Sequence, residues 1–225
     1  MVDPVRHRQL EELNRVELCT RILFNARNEL YLNLRFLDVP LGSLGYEART
    51  DSRGMGTDGF VIYYHPDDLC RLFTQGRVLV NRCYLHMVFH CMFCHMDTRG
   101  TRKEEDWNLA CDIAVESVID GLYLRCIHKQ MSLYRQDWYG RLKKRLPVLN
   151  AEGVYHILQE MDLPQKQKER LRAEFYADDH KDWNLPSENP KLPIVRQNQW
   201  NKNREQIQTE METMGNQQDE QSKSL

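Results

Sequence analysis

Long hydrophobic runs are missing from this 225-residue sequence. The longest charge-free apolar stretch, Cys83 to Met96, is too short to span a bilayer and carries three histidines. The start, "MVDPVRHRQLEELNR", has no apolar core, so no signal peptide is expected there. Net charge is nearly absent as well. With 31 basic and 33 acidic residues the balance is -2, which gives no reason to expect a nucleic-acid or membrane surface. No internal repeat is visible. Cysteine is present at an odd count of seven, and Cys91-Met92-Phe93-Cys94 has no second such pair to complete a four-cysteine site. Scattered in apolar contexts (Cys19, Cys70, Cys83, Cys111, Cys126), the thiols are expected to be reduced and buried in a cytoplasmic protein.

What is present divides readily. Residues 5 to 30 space Leu10, Leu13, Val16, Leu18, Ile22 and Leu23 as an amphipathic helix does. "YLNLRFL" then alternates apolar and polar residues, and "GFVIYYH" is β-branched and aromatic. With the turn-rich "DSRGMGTDG" between them, two or three short strands are expected, a hairpin being one arrangement. "HPDDLCRLF" restarts a helix with Pro66 and two aspartates in its first turn. Val78 to Met96 reads as one long helix, apolar all round and therefore buried all round. After the "DTRGTRKEED" loop, Trp107 to Leu124 forms another helix, and Asn150 caps a further one that Leu163-Pro164 ends. The Gln- and Asn-rich end predicts a surface helix around Trp200 to Met214, then disorder.

Within the buried helix, His86 and His90 lie four residues apart and so stack on one face, where two imidazoles can serve one cation. About 0.3 such pairs are expected by chance from this histidine content, so spacing alone leaves two hydrogen-bonded core histidines as an equal reading. An apolar helix, however, is a costly place for imidazoles unless both ring nitrogens are satisfied, and a metal satisfies one of them. Asp112 in the next helix is the favoured third ligand, with Glu116 one turn further on the same face. His95 is the alternative, and it reaches the site only if the helix breaks near Cys94. Zinc suits two imidazoles and a carboxylate; iron, nickel and manganese stay open.

In order and spacing, "TDGFVIYYHPDDL", "LHMVFHCMFCHM" and "WNLACDIAVESVID" resemble the metallopeptidase-like domain of bacterial proteins that often precedes a von Willebrand factor A-like domain. That family's pattern is a Thr-Asp-Gly strand, a His-Glu-x-x-His helix with a further histidine five residues on, and a Trp-Asn-x-Ala-x-Asp helix. The counterparts here are Thr57-Asp58-Gly59, then His86, His90 and His95, then Trp107-Asn108, Ala110 and Asp112. "NAEGVYHILQE", the Asp-x-His-x-x-Trp-like "DDHKDW" and the Trp200 helix extend the resemblance over most of residues 5 to 215. It implies an α+β, zincin-like fold, mostly helical, with a small mixed sheet beside the metal-binding helix. Residues 1–195 would form this domain and 196–225 a polar helical tail. The Thr57-Asp58-Gly59 strand would lie near a cleft where such folds dock an extended peptide on a sheet edge. A MoxR-type ATPase system is a partner implied by the resemblance alone.

One departure decides the functional expectation. The family's glutamate is Met87 here. In a zinc peptidase that carboxylate takes a proton from the metal-bound water, and a thioether carries no proton. Losing a general base costs roughly 10²- to 10⁴-fold in rate. No catalytic residue is therefore assigned. A metal-binding pseudo-peptidase that recognises a protein or peptide is the leading expectation. Two alternatives stand beside it: a hydrolase using a displaced carboxylate (Glu116, Glu104 or Glu105), and a metal-free interaction protein.

Overall fold

Apolar residues three and four apart wind the first segment into one helix in the computed structural model, α1 (Pro4–Asn33), which buries Cys19, Ile22, Leu23, Ala26 and Leu30. The structure describes residues 4–51, 53–184 and 191–223, with side chains for 5–51, 53–184 and 191–212. The strand expected at "YLNLRFL" does not form. Residues 31–33 complete α1 and Arg35–Leu37 make a 3-10 turn. The reason is burial: Leu30, Leu34 and Leu37, at helical spacing, face the core, whereas Tyr31 and Leu32 are exposed. A short helix, α2 (Asp38–Gly42), follows.

Three short strands come next: β1 (Gly45–Ala48), β2 (Met55–Thr57) and β3 (Val61–Tyr64). Their order is β1-β3-β2, with β1 parallel and β2 antiparallel to β3, so Ile62 sits between Tyr46 and Thr57. β2 thus lies inside the stretch that reads as a turn. The β2–β3 hairpin closes through Asp58, whose Oδ1 accepts from the backbone N–H groups of Phe60 and Val61 and whose Oδ2 accepts from the Tyr63 hydroxyl. The outer edge of β2 is covered by the chain itself. The Asp179 N–H donates to the Met55 carbonyl at 2.7 Å, and Gly56 pairs with Asp179 so closely that a Cβ there would stand 2.4 Å from the Asp179 carbonyl oxygen. An extended peptide therefore does not find this edge open, contrary to the expectation for the Thr57-Asp58-Gly59 strand.

α3 (Pro66–Gln75) opens on Pro66, as its sequence dictates, and α4 (Arg77–Met92) runs through the middle of the molecule with every residue from Val80 to Cys91 buried. It packs against α1, α3 and α5 (Glu104–Gly121). α4 stops at Met92 rather than Met96, because Cys94 takes a left-handed φ of 55° that reverses the chain. α6 (Leu133–Lys143), α7 (Ala151–Glu160) and α8 (Gln165–Phe175) complete the far side. Asn150 caps α7 as expected, its Oδ1 accepting from the Gly153 N–H at 2.8 Å.

The last helix, α9 (Leu192–Lys223), starts four residues before the expected boundary at 196. Its first turns are fastened to the hairpin loop: Arg196 Nη1 donates to the Asp58 carbonyl at 2.8 Å, and Trp200 Nε1 donates to the Gly59 carbonyl at 2.8 Å. Gly59, at φ +91°, leaves room for the Arg196 stem that a Cβ would strike. The helix backbone continues past Met214, where disorder was expected; residues 224–225 and the side chains from 213 on lie outside the described residues. All seven cysteines are free; Cys70 and Cys94 are half-buried and the rest buried. Among the described residues no helix is long and apolar enough to cross a membrane.

Candidate metal centre

α4 and α5 lie side by side in opposite directions, with Arg82 against Asp120 and Glu116, His86 against Glu116 and Asp112, and His90 against Asp112. The chain between α8 and the second 3-10 turn (Lys181–Asn184), pinned to β2 by Asp179, brings Asp178 and His180 to the same place. One donor atom from each of His86, His90, Asp112, Asp178 and His180 lies within 4.8 Å of all the others, and all five residues are buried. Nε2 of His86 and Nε2 of His90 are 2.7 Å apart. Oδ1 of Asp112 lies 3.3 Å from His86 Nε2, 3.4 Å from His90 Nε2 and 3.2 Å from His180 Nε2. Oδ1 of Asp178 lies 3.3, 3.8 and 3.1 Å from the same three nitrogens.

The backs of the rings are held too. Nδ1 of His86 meets Glu116 Oε1 at 2.9 Å, and the other Glu116 oxygen accepts from Arg82 Nε at 3.0 Å and Arg135 Nη1 at 2.6 Å. Nδ1 of His90 meets Nδ1 of His95 at 2.9 Å. With His90 Nε2 turned to the centre, its Nδ1–H donates and His95 accepts. Trp107 Nε1 fixes that turn by donating to the His95 carbonyl at 3.0 Å, and the His180 ring stacks on Trp183 with centroids 3.8 Å apart.

The group calls for positive charge at its centre. Burial works against an imidazolium at His86, but Asp112 and Glu116 outweigh it and raise the pKa to about 9. His180 is raised to about 10: burial opposes this, and Asp112 with Asp178 prevails. His90 moves the other way, to about 4, through burial and its neighbour His86. Asp112 is held well below the ordinary carboxylate range, since His180, His86 and His90 overcome its desolvation. Glu116 is likewise lowered despite burial, by His86, Arg82 and Arg135. Two buried carboxylates facing three imidazole nitrogens suit a divalent cation, which supplies the charge that protons supply without it. Oδ2 of Asp178 is buried with no hydrogen-bond partner, so the charge of this carboxylate is balanced only through Oδ1 and the groups around it.

Of the residues singled out in the sequence, His86, His90 and Asp112 are brought together. His95 is not: although the helix breaks at Cys94, its ring turns onto the back of His90. Glu116 stands behind His86, on the side away from the centre. Met87 is fully buried. Glu104 and Glu105 line an open cleft of about 460 Å³ that reaches Asp112, Asp178 and His180, and they pair with Arg99 and Arg172 at 2.8 Å. Asp178 and His180 were missed as donors. "DDHKDW" carried the signal, an acid and an imidazole two apart beside a tryptophan, but nothing local ties that segment to α4.

No curated protein and no solved structure matches the chain. The family model described as "Putative metallopeptidase domain" matches residues 23–224. The match takes in α4, α5 and the segment of Asp178 and His180, and with most of its length covered the chain belongs to this metallopeptidase-domain family.

Proposed function

We propose that this protein is a zincin-like, metal-binding pseudo-peptidase that holds a zinc ion and recognises a protein or peptide without cutting it. One observation carries the reading: the imidazoles of His86 and His90 converge with the Asp112 carboxylate, while the position that would hold the proton-transferring acid is Met87. A bound divalent ion polarises a carbonyl oxygen and acidifies water. His86, His90 and Asp112 would hold it, and donor atoms of Asp178 and His180 converge on the same point. Glu116 and His95 orient the two α4 imidazoles through Nδ1 and so fix their tautomers. Hydrolysis also needs a group that accepts a proton from water and delivers it to the leaving amine. Met87 has no such chemistry. Glu116 is spent on His86, Arg82 and Arg135, which argues against the displaced-base alternative.

The cleft over Asp112 and Asp178, rimmed by Tyr176 and by charges of both signs, is the face we assign to peptide recognition. A cytoplasmic setting and service to a MoxR-type ATPase belong to the same proposal, and both rest on family resemblance. The test is to incubate metal-loaded protein with unfolded polypeptides, with and without a chelator. Retained metal with no chelator-sensitive cleavage is expected; clear metal-dependent proteolysis overturns the proposal.

A further inference from the structure

We infer that the ion is held by five protein donors in a trigonal bipyramid, with His86 and His180 on the axis and His90, Asp112 and Asp178 around the equator, leaving no position for a hydrolytic water. This rests on the metal-binding reading above and specifies what the site does with the ion.

The donor separations carry the inference. Around an ion about 2.1 Å from each ligand, a trigonal bipyramid sets axial and equatorial donors roughly 3.0 Å apart, two equatorial donors roughly 3.6 Å and the axial pair roughly 4.2 Å. His86 Nε2 lies 2.7, 3.3 and 3.3 Å from His90, Asp112 and Asp178. His180 Nε2 lies 3.2 and 3.1 Å from the two carboxylate oxygens. These are axial-to-equatorial values. His90 Nε2 stands further from the same oxygens, at 3.4 and 3.8 Å, as an equatorial neighbour does. All five donors lie within 4.8 Å of one another, a limit that admits an axial pair about 4.2 Å apart. A peptidase centre, by contrast, uses three protein ligands and keeps the next position for water.

Access agrees with this. Asp112, Asp178 and His180 line the cleft, so what arrives there meets these three side chains of the centre. The ligands come from α4, from α5 and from the segment bridged to β2. The ion then acts as a clamp, holding the 178–180 segment on the helix pair and keeping the β2 edge covered.

Cobalt(II) tests the geometry. Loaded into the intact protein, it should give the weak visible bands of a five-coordinate ion, unchanged by azide, and X-ray absorption should count five nitrogen and oxygen donors. In His180→Ala, checked for folding by thermal unfolding, a position opens and azide should shift the bands. Strong four-coordinate bands in the parent, or a shift with azide there, would overturn the five-donor centre and leave metal binding intact. Failure to bind cobalt or zinc at all would overturn the metal-binding reading itself. If His180→Ala does not fold, the donor count and azide response of the parent still decide.

Discussion

Nδ1 of His86 lies 2.9 Å from Oε1 of Glu116, so the acid one turn beyond Asp112 is engaged behind the His86 ring. Glu116 keeps Nε2 of His86 as the nitrogen that faces the centre, and with Asp120 it balances Arg82 and Arg135 inside the core. Glu116→Gln should therefore weaken zinc binding by about 10- to 100-fold. It should also cost about 1–3 kcal/mol of stability, because Arg82 and Arg135 lose one charged partner and keep Asp120, with Glu174 beside Arg135. Competition titration with a chromophoric chelator and denaturant unfolding check the two effects. Full metal affinity in this variant would contradict the orienting role.

His95 supports His90 in the same way, and it was also the alternative ligand. His95→Phe keeps the ring against Trp107 but removes the acceptor for His90 Nδ1. Zinc affinity should drop by about tenfold and binding should persist. A loss as complete as that of His90→Ala would make His95 a ligand after all; no change would reduce it to packing.

How much of this was legible can be seen element by element. α4 was readable because a helix with no carboxylate, lysine or further arginine between Arg82 and its end, and histidines four apart, has no solvent-facing side to misplace, and Asp112 followed because a carboxylate among Leu109, Ala110 and Ile113 needs a reason to be buried. "YLNLRFL" misled because its alternation is incidental to a helix end whose burial is set by α1 and the core. Asp178 and His180 lie some ninety residues from His90, and the β2 bridge at Asp179, the Cys83 thiol on the Ala177 carbonyl and Arg49 on Asp182 hold their segment there. A long-range backbone pairing of that kind leaves no local trace. The same holds for the Thr57-Asp58-Gly59 turn, which serves as the socket for Arg196 and Trp200.

That socket gives a stability prediction. Trp200 is fully buried and its Nε1 donates to Gly59. Trp200→Ala should cost about 3–5 kcal/mol in denaturant unfolding, with a single transition. An unchanged midpoint would mean that the 196–225 segment is an independent tail.

A pH effect follows from Asp106, buried at the start of α5. Its oxygens accept from Gln159 Nε2 at 2.9 Å and from Lys168 Nζ at 3.1 Å. Desolvation pushes its pKa up, but these partners win and hold it below the ordinary value. A carboxylate lowered on folding stabilises the protein above its unfolded pKa of about 3.9, and the contribution fades as pH falls through the lower folded value. Asp106→Asn should lose about 1–3 kcal/mol at neutral pH, and the gap to the parent should shrink below about pH 4. A gap that stays constant with pH would show that the carboxylate charge is irrelevant.

Elemental analysis of untagged protein, with His86→Ala purified in parallel, addresses the metal centre most directly. About one divalent ion per chain is expected in the parent and little in the variant, both remaining folded. An intact fold carrying no metal in either protein, and taking up none when zinc is added, would contradict the account and leave the five convergent side chains a protonated core network.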